Sequence, residues 1–226
     1  MRSSSVAGFF AVVLLVTLSG IAYWVAMRGL ADVVAQDPRY EIERWRSGKF
    51  TPDVVKLNVI QTELHKALNL DPGNPTLLED MGWFYAKRTE RDPSHGAEVR
   101  ELRQQSLQLF KQSLALRPTS GHAFINVAYM KYRLGEIDLE FSQILQQALL
   151  RSPWEPQYQL IAIELGLANW HALSDSTRQS MRYAIRSQGQ WKLVNQKTAL
   201  SSLLKRYNRP DLSCLLEADS KPCGAF

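Results

Sequence analysis

The residue types that most often carry out chemistry are few and scattered in this 226-residue chain. Its histidines fall in separate helical or loop segments, at His65, His95, His122 and His171. The sequence has no glycine-rich phosphate loop, no His-Glu-x-x-His motif, no Cys-x-x-Cys pair and no Asp-x-Asp pair, which are spacings that hold phosphates or metal ions. We therefore expect no enzyme, no metal and no cofactor. An enzyme with an unrecognised site is the alternative, and a metal or cofactor bound to the purified protein would favour it.

A short acidic run contains Glu136, Asp138 and Glu140. Residues two apart on a helix do not share a face, so these carboxylates would point in different directions. The sequence predicts a solvated edge here rather than a set of ligands for a cation.

The two cysteines, Cys214 and Cys223, lie in a tail that contains proline and glycine. They are too few for a disulfide scaffold or a zinc site built from four thiolates, but they could close one small loop. Such a disulfide persists only in an oxidising compartment. Two unrelated free thiols are the alternative.

The composition is that of an ordinary globular protein, with 45% apolar and 22% charged residues. Lys and Arg number 27 against 22 Asp and Glu. The basic total falls to 25 without Arg2 and Arg28, which flank an apolar segment. This excess is too small to predict a nucleic-acid partner.

The apolar segment, residues 6–27, is 22 residues long and carries no charge. At ~1.5 Å per residue, a helix of that length spans the ~30 Å hydrocarbon core of a bilayer. Tyr23 and Trp24 lie near its end, where amphipathic rings favour the headgroup region. Residues 33–35, Val-Val-Ala, offer a cleavage site for a signal peptide. The apolar stretch exceeds the ~7–15 residues of a signal-peptide core, which favours an uncleaved anchor over residues 1–28.

The orientation of this anchor has two interpretations. A short basic N-terminus before an apolar helix is typical of a bacterial signal anchor, which predicts a single-pass inner-membrane protein with residues 28–226 in the periplasm. The count of Lys and Arg alone favours the opposite orientation, because more arginines follow the helix than precede it. Acidic residues interleave with those arginines, and long domains cross the membrane largely regardless of charge.

Three segments of the chain end in the same way, which indicates an internal repeat. Each has a small residue five positions before a proline: Ala67 before Pro72, Ser113 before Pro118, and Ala148 before Pro153. Three positions before each small residue stands a large apolar one on the same helical face, at Leu64, Phe110 and Leu145. The spacings are 46 and 35 residues. We expect an insertion between residues 88 and 100 to account for the longer one.

The sequence around these ends resembles the tetratricopeptide repeat (TPR) family, whose period is ~34 residues. In the unit that begins at Gly121, the consensus positions for Trp, Leu and Gly hold Phe124, Val127 and Ala128, and the turn holds Gly135. In the unit that begins at Pro75, matching positions hold Leu78, Met81, Gly82 and Tyr85. No segment alternates with period two. We expect an all-α chain, with one N-terminal transmembrane helix followed by a TPR-like α-solenoid of about three to four helix pairs.

Capping residues and prolines predict where the helices begin and end. Thr51-Pro52 and Asn74-Pro75 predict two helix starts. Further helices are expected at 157–171, at 175–188 after Ser174 and before Gly189, and at about 191–207. The chain then divides into an anchor (1–28), a juxtamembrane linker or helix (29–50), a repeat domain (51–190), and a capping helix with a tail (191–226).

In the TPR family, the inner helix of each unit lines a concave groove that meets extended peptides. The resemblance carries groove positions onto His122, Asn126, Tyr129 and Arg133 in one unit, and onto Trp83 and Lys87 in the other. Core packing is the alternative for the aromatic residues Tyr129 and Trp83. Asn126 and Arg133 are the better candidates for binding, so Arg133→Ala should weaken a partner without unfolding the domain.

A second resemblance rests on longer motifs. The stretches Arg133–Phe141, Ser152–Pro156 and Leu165–Trp170 look like those of the VpsP-like family of bacterial exopolysaccharide clusters. The resemblance covers roughly residues 50 to 190. It implies a membrane-anchored adaptor in polysaccharide biosynthesis or export, with protein partners in an envelope complex. Alternatives are a scaffold for cytochrome maturation or for pilus and secretion assembly, and association with a second copy of the chain.

Overall fold

The computed structural model describes residues 2–90, 96–190 and 194–216. These form nine α-helices: α1 (Arg2–Arg46), α2 (Val54–Leu70), α3 (Pro75–Arg88), α4 (Ala97–Leu116), α5 (Gly121–Leu134), α6 (Leu139–Arg151), α7 (Pro156–Ala168), α8 (Asp175–Gln190) and α9 (Val194–Arg206). Two short 3-10 helices follow α7 and α9, at Trp170–Ala172 and Pro210–Leu216. No strand occurs in the part of the chain described, and the all-α prediction is confirmed. The chain divides into two compact units, residues 1–87 and 88–226.

The first unit is built on α1, a continuous helix of 45 residues. It is the one described helix long and apolar enough to cross a membrane, and none of its most apolar stretch is buried. The predicted linker segment is helical through Arg46, and the chain then turns at Gly48, whose φ is +71°. The glycine tolerates this left-handed conformation without a side-chain clash.

Small residues let α1 and α2 approach closely. Ala31 and Ala35 of α1 and Ala67 of α2 are completely buried, together with Leu77 of α3. Ala31 and Ala35 are four positions apart and so share one face of α1. The segment of α1 beyond the apolar stretch is therefore packed against α2.

An ion pair joins the end of the apolar stretch to the end of α2. Arg28 Nε lies 3.3 Å from Oδ2 of Asp71, the C-cap residue of α2. The same guanidinium lies 3.9 Å from the centre of the Trp24 ring. The side chain of Asp71 is 8% exposed, so this carboxylate is nearly buried where the chain would leave a bilayer.

The repeated positions of the sequence fall at the ends of α2, α4 and α6. The large apolar residue and the small residue of each motif are fully buried: Leu64 and Ala67, Phe110 and Ser113, Leu145 and Ala148. The proline of each motif follows the C-cap residue of its helix, at Asp71, Arg117 and Ser152. The extra residues of the longer spacing are placed partly in α4 itself, which has 20 residues where α6 has 13.

In the second unit, buried residues of α5 to α9 form one apolar core, and Leu114 of α4 packs against it. Helix α5 packs against α4, α6 and α7, while α8 packs against α6 and α7. The amide of Gln159 on α7 donates to the carbonyls of Leu149 and Ser152, at 2.7 and 3.0 Å, so α7 satisfies carbonyls at the end of α6. These contacts set two successive helix pairs, α5–α6 and α7–α8, side by side.

Of the three residues expected to cap helices, two do so. The Asn74 side chain accepts from the N–H groups of Thr76 and Leu77, and Ser174 accepts from Thr177 N–H, as expected of N-caps. The start at Thr51-Pro52 was wrong. Asp53 caps α2 instead, because its carboxylate accepts from Lys56 N–H at 2.8 Å.

Two helix ends differ from prediction. Helix α7 ends at Ala168 and not at His171, which lies in a 3-10 turn. Helix α8 continues past Gly189 to Gln190, because a glycine disfavours a helix by only about 1 kcal/mol. The last helix is described from Val194 to Arg206, and residues 191–193 of its predicted start lie outside the described residues.

The close approach of α5 to the turn after α6 is testable at Gly121. A Cβ atom there would lie 2.6 Å from Ser152 Cβ and 2.9 Å from the Ser152 backbone nitrogen. Gly121→Ala should therefore lower the free energy of unfolding by about 1–3 kcal/mol, since the turn after α6 must move. Urea unfolding of the full chain in lipid nanodiscs, followed by circular dichroism, measures it.

Gly73→Ala is the matched control, because a Cβ atom at Gly73 meets nothing within 4 Å. Its effect should stay within about 0.5 kcal/mol. Equal stability of the two variants would contradict the close approach of Gly121 to Ser152.

Candidate binding groove

The predicted groove residues divide between the two units. Trp83 and Lys87 lie on α3 in the first unit, whereas the other four lie on α5 in the second: His122, Asn126, Tyr129 and Arg133.

On α3, Trp83 contacts a charged side chain of α1. The guanidinium of Arg46 lies 4.1 Å from the centre of the Trp83 ring. One turn away, Arg39 Nε donates to Asp80 Oδ2 at 2.8 Å. Burial raises the pKa of Asp80 above its ordinary value although Arg39 works to lower it. Trp83 is thus in contact with α1, and Lys87 is half-buried near the end of α3.

On α5, Tyr129 and Arg133 form a hydrogen-bonded group with Glu90. Arg133 Nη1 donates to the Tyr129 hydroxyl at 2.8 Å and lies 3.8 Å from Glu90 Oε1. The Tyr129 hydroxyl lies 3.4 Å from the same carboxylate oxygen. Burial raises the pKa of Tyr129, so the phenol stays neutral at physiological pH. Arg133 therefore already has partners within its own unit.

Asn126 is completely buried on the same helix. Neither its amide nitrogen nor its amide oxygen has a hydrogen-bond partner within the described protein. Leaving such a group unpaired costs ~1–3 kcal/mol. One turn earlier, His122 stacks on Tyr158 of α7, with the ring centres 4.6 Å apart.

A pocket of about 140 Å³ opens between α5, α7 and Tyr207, the residue that follows α9. Its lining includes one predicted groove residue, Tyr129, and six that sequence analysis missed: Tyr132, Ile161, Glu164, Leu165, Ala168 and Tyr207. Three of these could have been found. Adding the 35-residue spacing to Asn126, Tyr129 and Arg133 gives Ile161, Glu164 and Ala168. The pocket therefore joins equivalent positions of two successive helix pairs.

Glu164 supplies the charge of this pocket. Its Oε1 atom accepts from Arg206 Nη1 at 2.9 Å and from the Tyr207 hydroxyl at 3.4 Å. Both ions of the pair are well exposed, with 64% of the Arg206 side chain and 41% of the Glu164 side chain accessible. Burial and the nearby Glu164 carboxylate raise the pKa of Tyr207.

The acidic run forms a structure that the sequence analysis did not predict. Glu136 and Asp138 lie in the turn between α5 and α6 and Glu140 lies in the first turn of α6. The three carboxylates surround the ammonium of Lys131 at 3.5, 3.0 and 2.7 Å. The expectation that these carboxylates point in different directions was wrong. They converge because only Glu140 lies in the helix, whereas Asp138 is the N-cap of α6 and Glu136 precedes it. The carboxylates are partly solvated, as expected, but the lysine is only 2% exposed.

The charges of this cluster stabilise one another. Burial works to lower the pKa of Lys131, but hydrogen bonds to Glu140 and Asp138 outweigh it and raise that pKa. Hydrogen bonds from Lys111 and Lys131 lower the pKa of Glu140. Burial works to raise the pKa of Asp138, yet the Phe141 N–H and Lys131 hold it below its ordinary value. The cluster fixes the corner between α5 and α6.

The remaining sequence candidates stay apart. Within the described residues, no three His, Cys, Asp or Glu side chains are grouped to hold a metal ion. His95 lies outside those residues. Cys214 lies in the last 3-10 helix, and Cys223 lies outside the described residues, so their pairing stays a prediction.

Compared with protein-family models and with curated proteins, the sequence matches no family model and no curated protein. The resemblances to the TPR and VpsP-like families rest on the residues quoted above.

Replacing the buried lysine tests the cluster. Lys131→Met keeps most of the side-chain volume but removes the charge that the three carboxylates share. We expect a loss of roughly 1 kcal/mol in the free energy of unfolding at pH 7, because the carboxylates are half-exposed and therefore screened. Lys197→Met, at an exposed position of α9, is the control.

The pH dependence of this loss follows from the pKa shifts. The lowered pKa values of Asp138 and Glu140 contribute stability above their ordinary values of ~4, and this stability disappears as pH falls through the lower folded values. The raised pKa of Lys131 contributes stability below ~10.4, which disappears at higher pH. The difference between wild type and Lys131→Met should therefore be largest from about pH 5 to 9. A difference that is constant from pH 3 to 9 would contradict the cluster.

Proposed function

We propose that this chain is a membrane-anchored, TPR-like adaptor of bacterial exopolysaccharide biosynthesis or export. The anchor is the apolar part of α1 in the inner membrane, with the helical domain in the periplasm. The adaptor binds a protein partner in a groove along α5 and α7 and carries out no reaction itself. The polysaccharide role comes from the VpsP-like resemblance, and the groove comes from the TPR resemblance.

One observation carries the groove assignment. Tyr129 and Glu164, which lie 35 residues apart, line the same pocket from neighbouring helices. A repeat structure that binds an extended segment places equivalent positions of successive inner helices along one surface. Ile161 and Ala168, the equivalents of Asn126 and Arg133, lie in the same pocket lining.

The buried amide of Asn126 is a further reason to expect that the partner binds as an extended peptide through its backbone. Its amide lacks hydrogen-bond partners at a position where the TPR family meets extended peptides. A peptide group offers both an N–H and a carbonyl, which would satisfy both atoms of the amide. Because Asn126 is completely buried, the side chains above it must move for this contact to form.

The build of the first unit suits an adaptor that must stay at the membrane. Helix α1 continues without a break from the apolar stretch into the part packed on α2, and Arg28 pairs with Asp71 beside it. The anchor and the first unit are thus one helical body rather than a domain on a flexible tether.

Deletion of the gene in the source bacterium tests the role in polysaccharide. Loss of secreted or capsular polymer, restored by the full chain but not by residues 29–226 exported to the periplasm, is the expected result. Unchanged polymer, under conditions in which the wild type makes it, would overturn the polysaccharide role. The scaffold of another envelope system, such as cytochrome maturation or pilus assembly, would then be the better proposal.

A matched pair of tyrosines tests the groove in the same strain. Tyr132 lines the pocket and is 39% exposed, whereas Tyr183 is 68% exposed on α8 and lies outside the pocket lining. We expect Tyr132→Ala to restore less polymer than Tyr183→Ala at equal protein level and equal thermal stability, because it removes contact area for the partner. Full restoration by both variants would contradict a function of the pocket.

A further inference from the structure

The size of the pocket limits what it can take. Its volume of about 140 Å³ is well below the ~300–1,000 Å³ typical of sites for drug-sized molecules and cofactors. A sugar chain or a nucleotide would therefore not be enclosed here. A site of this size suits one side chain of a partner rather than a whole ligand.

The residues that line the pocket favour some partner side chains over others. Three tyrosines, Tyr129, Tyr132 and Tyr207, contribute aromatic surface, and the carboxylate of Glu164 contributes the negative charge. Aromatic faces attract cations, and a carboxylate beside them pairs with an ammonium or a guanidinium. In the free protein Arg206 balances Glu164, so a basic ligand gains this carboxylate by displacing Arg206. The cation of Arg133, which lies near Tyr129, is already balanced by Glu90.

We propose that this pocket holds a lysine or arginine side chain of the partner segment, with Glu164 as its counter-ion and Arg206 as an internal competitor. The inference rests on the proposed groove and names the side chain that the groove recognises.

In the free protein Arg206 forms an ion pair with Glu164, and a basic ligand can displace Arg206 from it. The pair is exposed to solvent on both sides, and ion pairs of this kind contribute little to stability. A cation that enters among the three rings is less hydrated than Arg206 and gains contact with the aromatic faces. Removal of Arg206 should therefore strengthen binding, whereas neutralisation of Glu164 should weaken it.

Peptide selection on the full chain in lipid nanodiscs tests the proposal. The probe is a phage library of random heptapeptides, selected against wild type and counter-selected on empty nanodiscs. The enriched peptides should share a lysine or an arginine. The best peptide, labelled with fluorescein, is then titrated by anisotropy against Glu164→Gln, Arg206→Ala and the control Glu155→Gln. Glu155 is an exposed glutamate that makes no side-chain cap to α7.

The expected result is a loss of about tenfold in affinity for Glu164→Gln, a gain of a few-fold for Arg206→Ala, and no change for Glu155→Gln. Replacing the basic residue of the peptide by norleucine should cause the same loss on wild type but little further loss on Glu164→Gln. Circular dichroism and thermal unfolding establish that the variants are folded.

The possible failures are distinguishable. Enriched peptides without a common basic residue, or binding that Glu164→Gln leaves unchanged, would overturn the cation pocket while the groove stands. If no peptide is enriched on wild type over empty nanodiscs, the groove assignment is overturned, and the cation pocket with it.

Discussion

The second unit depends on the close packing of helix ends at the repeated small residues. Ser113 and Ala148 are completely buried one turn after Phe110 and Leu145, which are also buried. These positions let α4 and α6 pack on α5, and Gly121 at the start of α5 then meets Ser152 with no room for a Cβ atom. With this approach fixed, α7 lies beside α5, and the two helices present Tyr129 and Glu164 to one pocket.

Charge at the opposite end of α5 complements this apolar packing. Lys131 is almost completely buried, which is unfavourable for an ammonium unless carboxylates surround it. The α5–α6 turn supplies two of them, one of which also caps α6, and the first turn of α6 supplies the third. Helix α5, which lines the pocket with Tyr129, is therefore held near its start by the close contact of Gly121 and near its end by the ion pairs of Lys131.

Much of the helical architecture could be predicted from single residues, because capping and turn chemistry act locally. Asn74 and Ser174 mark helix starts, and the three proline motifs mark helix ends. Prediction failed where two local signals compete. Asp53 lies two residues after Thr51 and caps α2 in its place, and α8 continues through Gly189 because a single glycine disfavours a helix only slightly.

The site was only partly predictable, for a physical reason. Repeat spacing indicates positions on α5 and α7, but Tyr207 reaches the pocket from beyond α9, where no repeat motif remains in the sequence. Spacing also does not report whether a side chain already has partners. Arg133 donates to the Tyr129 hydroxyl and pairs with Glu90, contacts that no spacing in the sequence indicates.

In the proposed adaptor, the surface of α5 and α7 around Tyr129 and Glu164 binds a protein segment at the membrane. Site-specific photo-crosslinking in the source bacterium tests it most directly, with a benzophenone amino acid at Ile161 inside the pocket or at Tyr183 outside it. Both positions are exposed, at 39% and 68%. We expect the crosslinker at position 161 to form a discrete adduct with an envelope protein, and the crosslinker at position 183 not to form it. No adduct from position 161, or the same adducts from both positions, would contradict it.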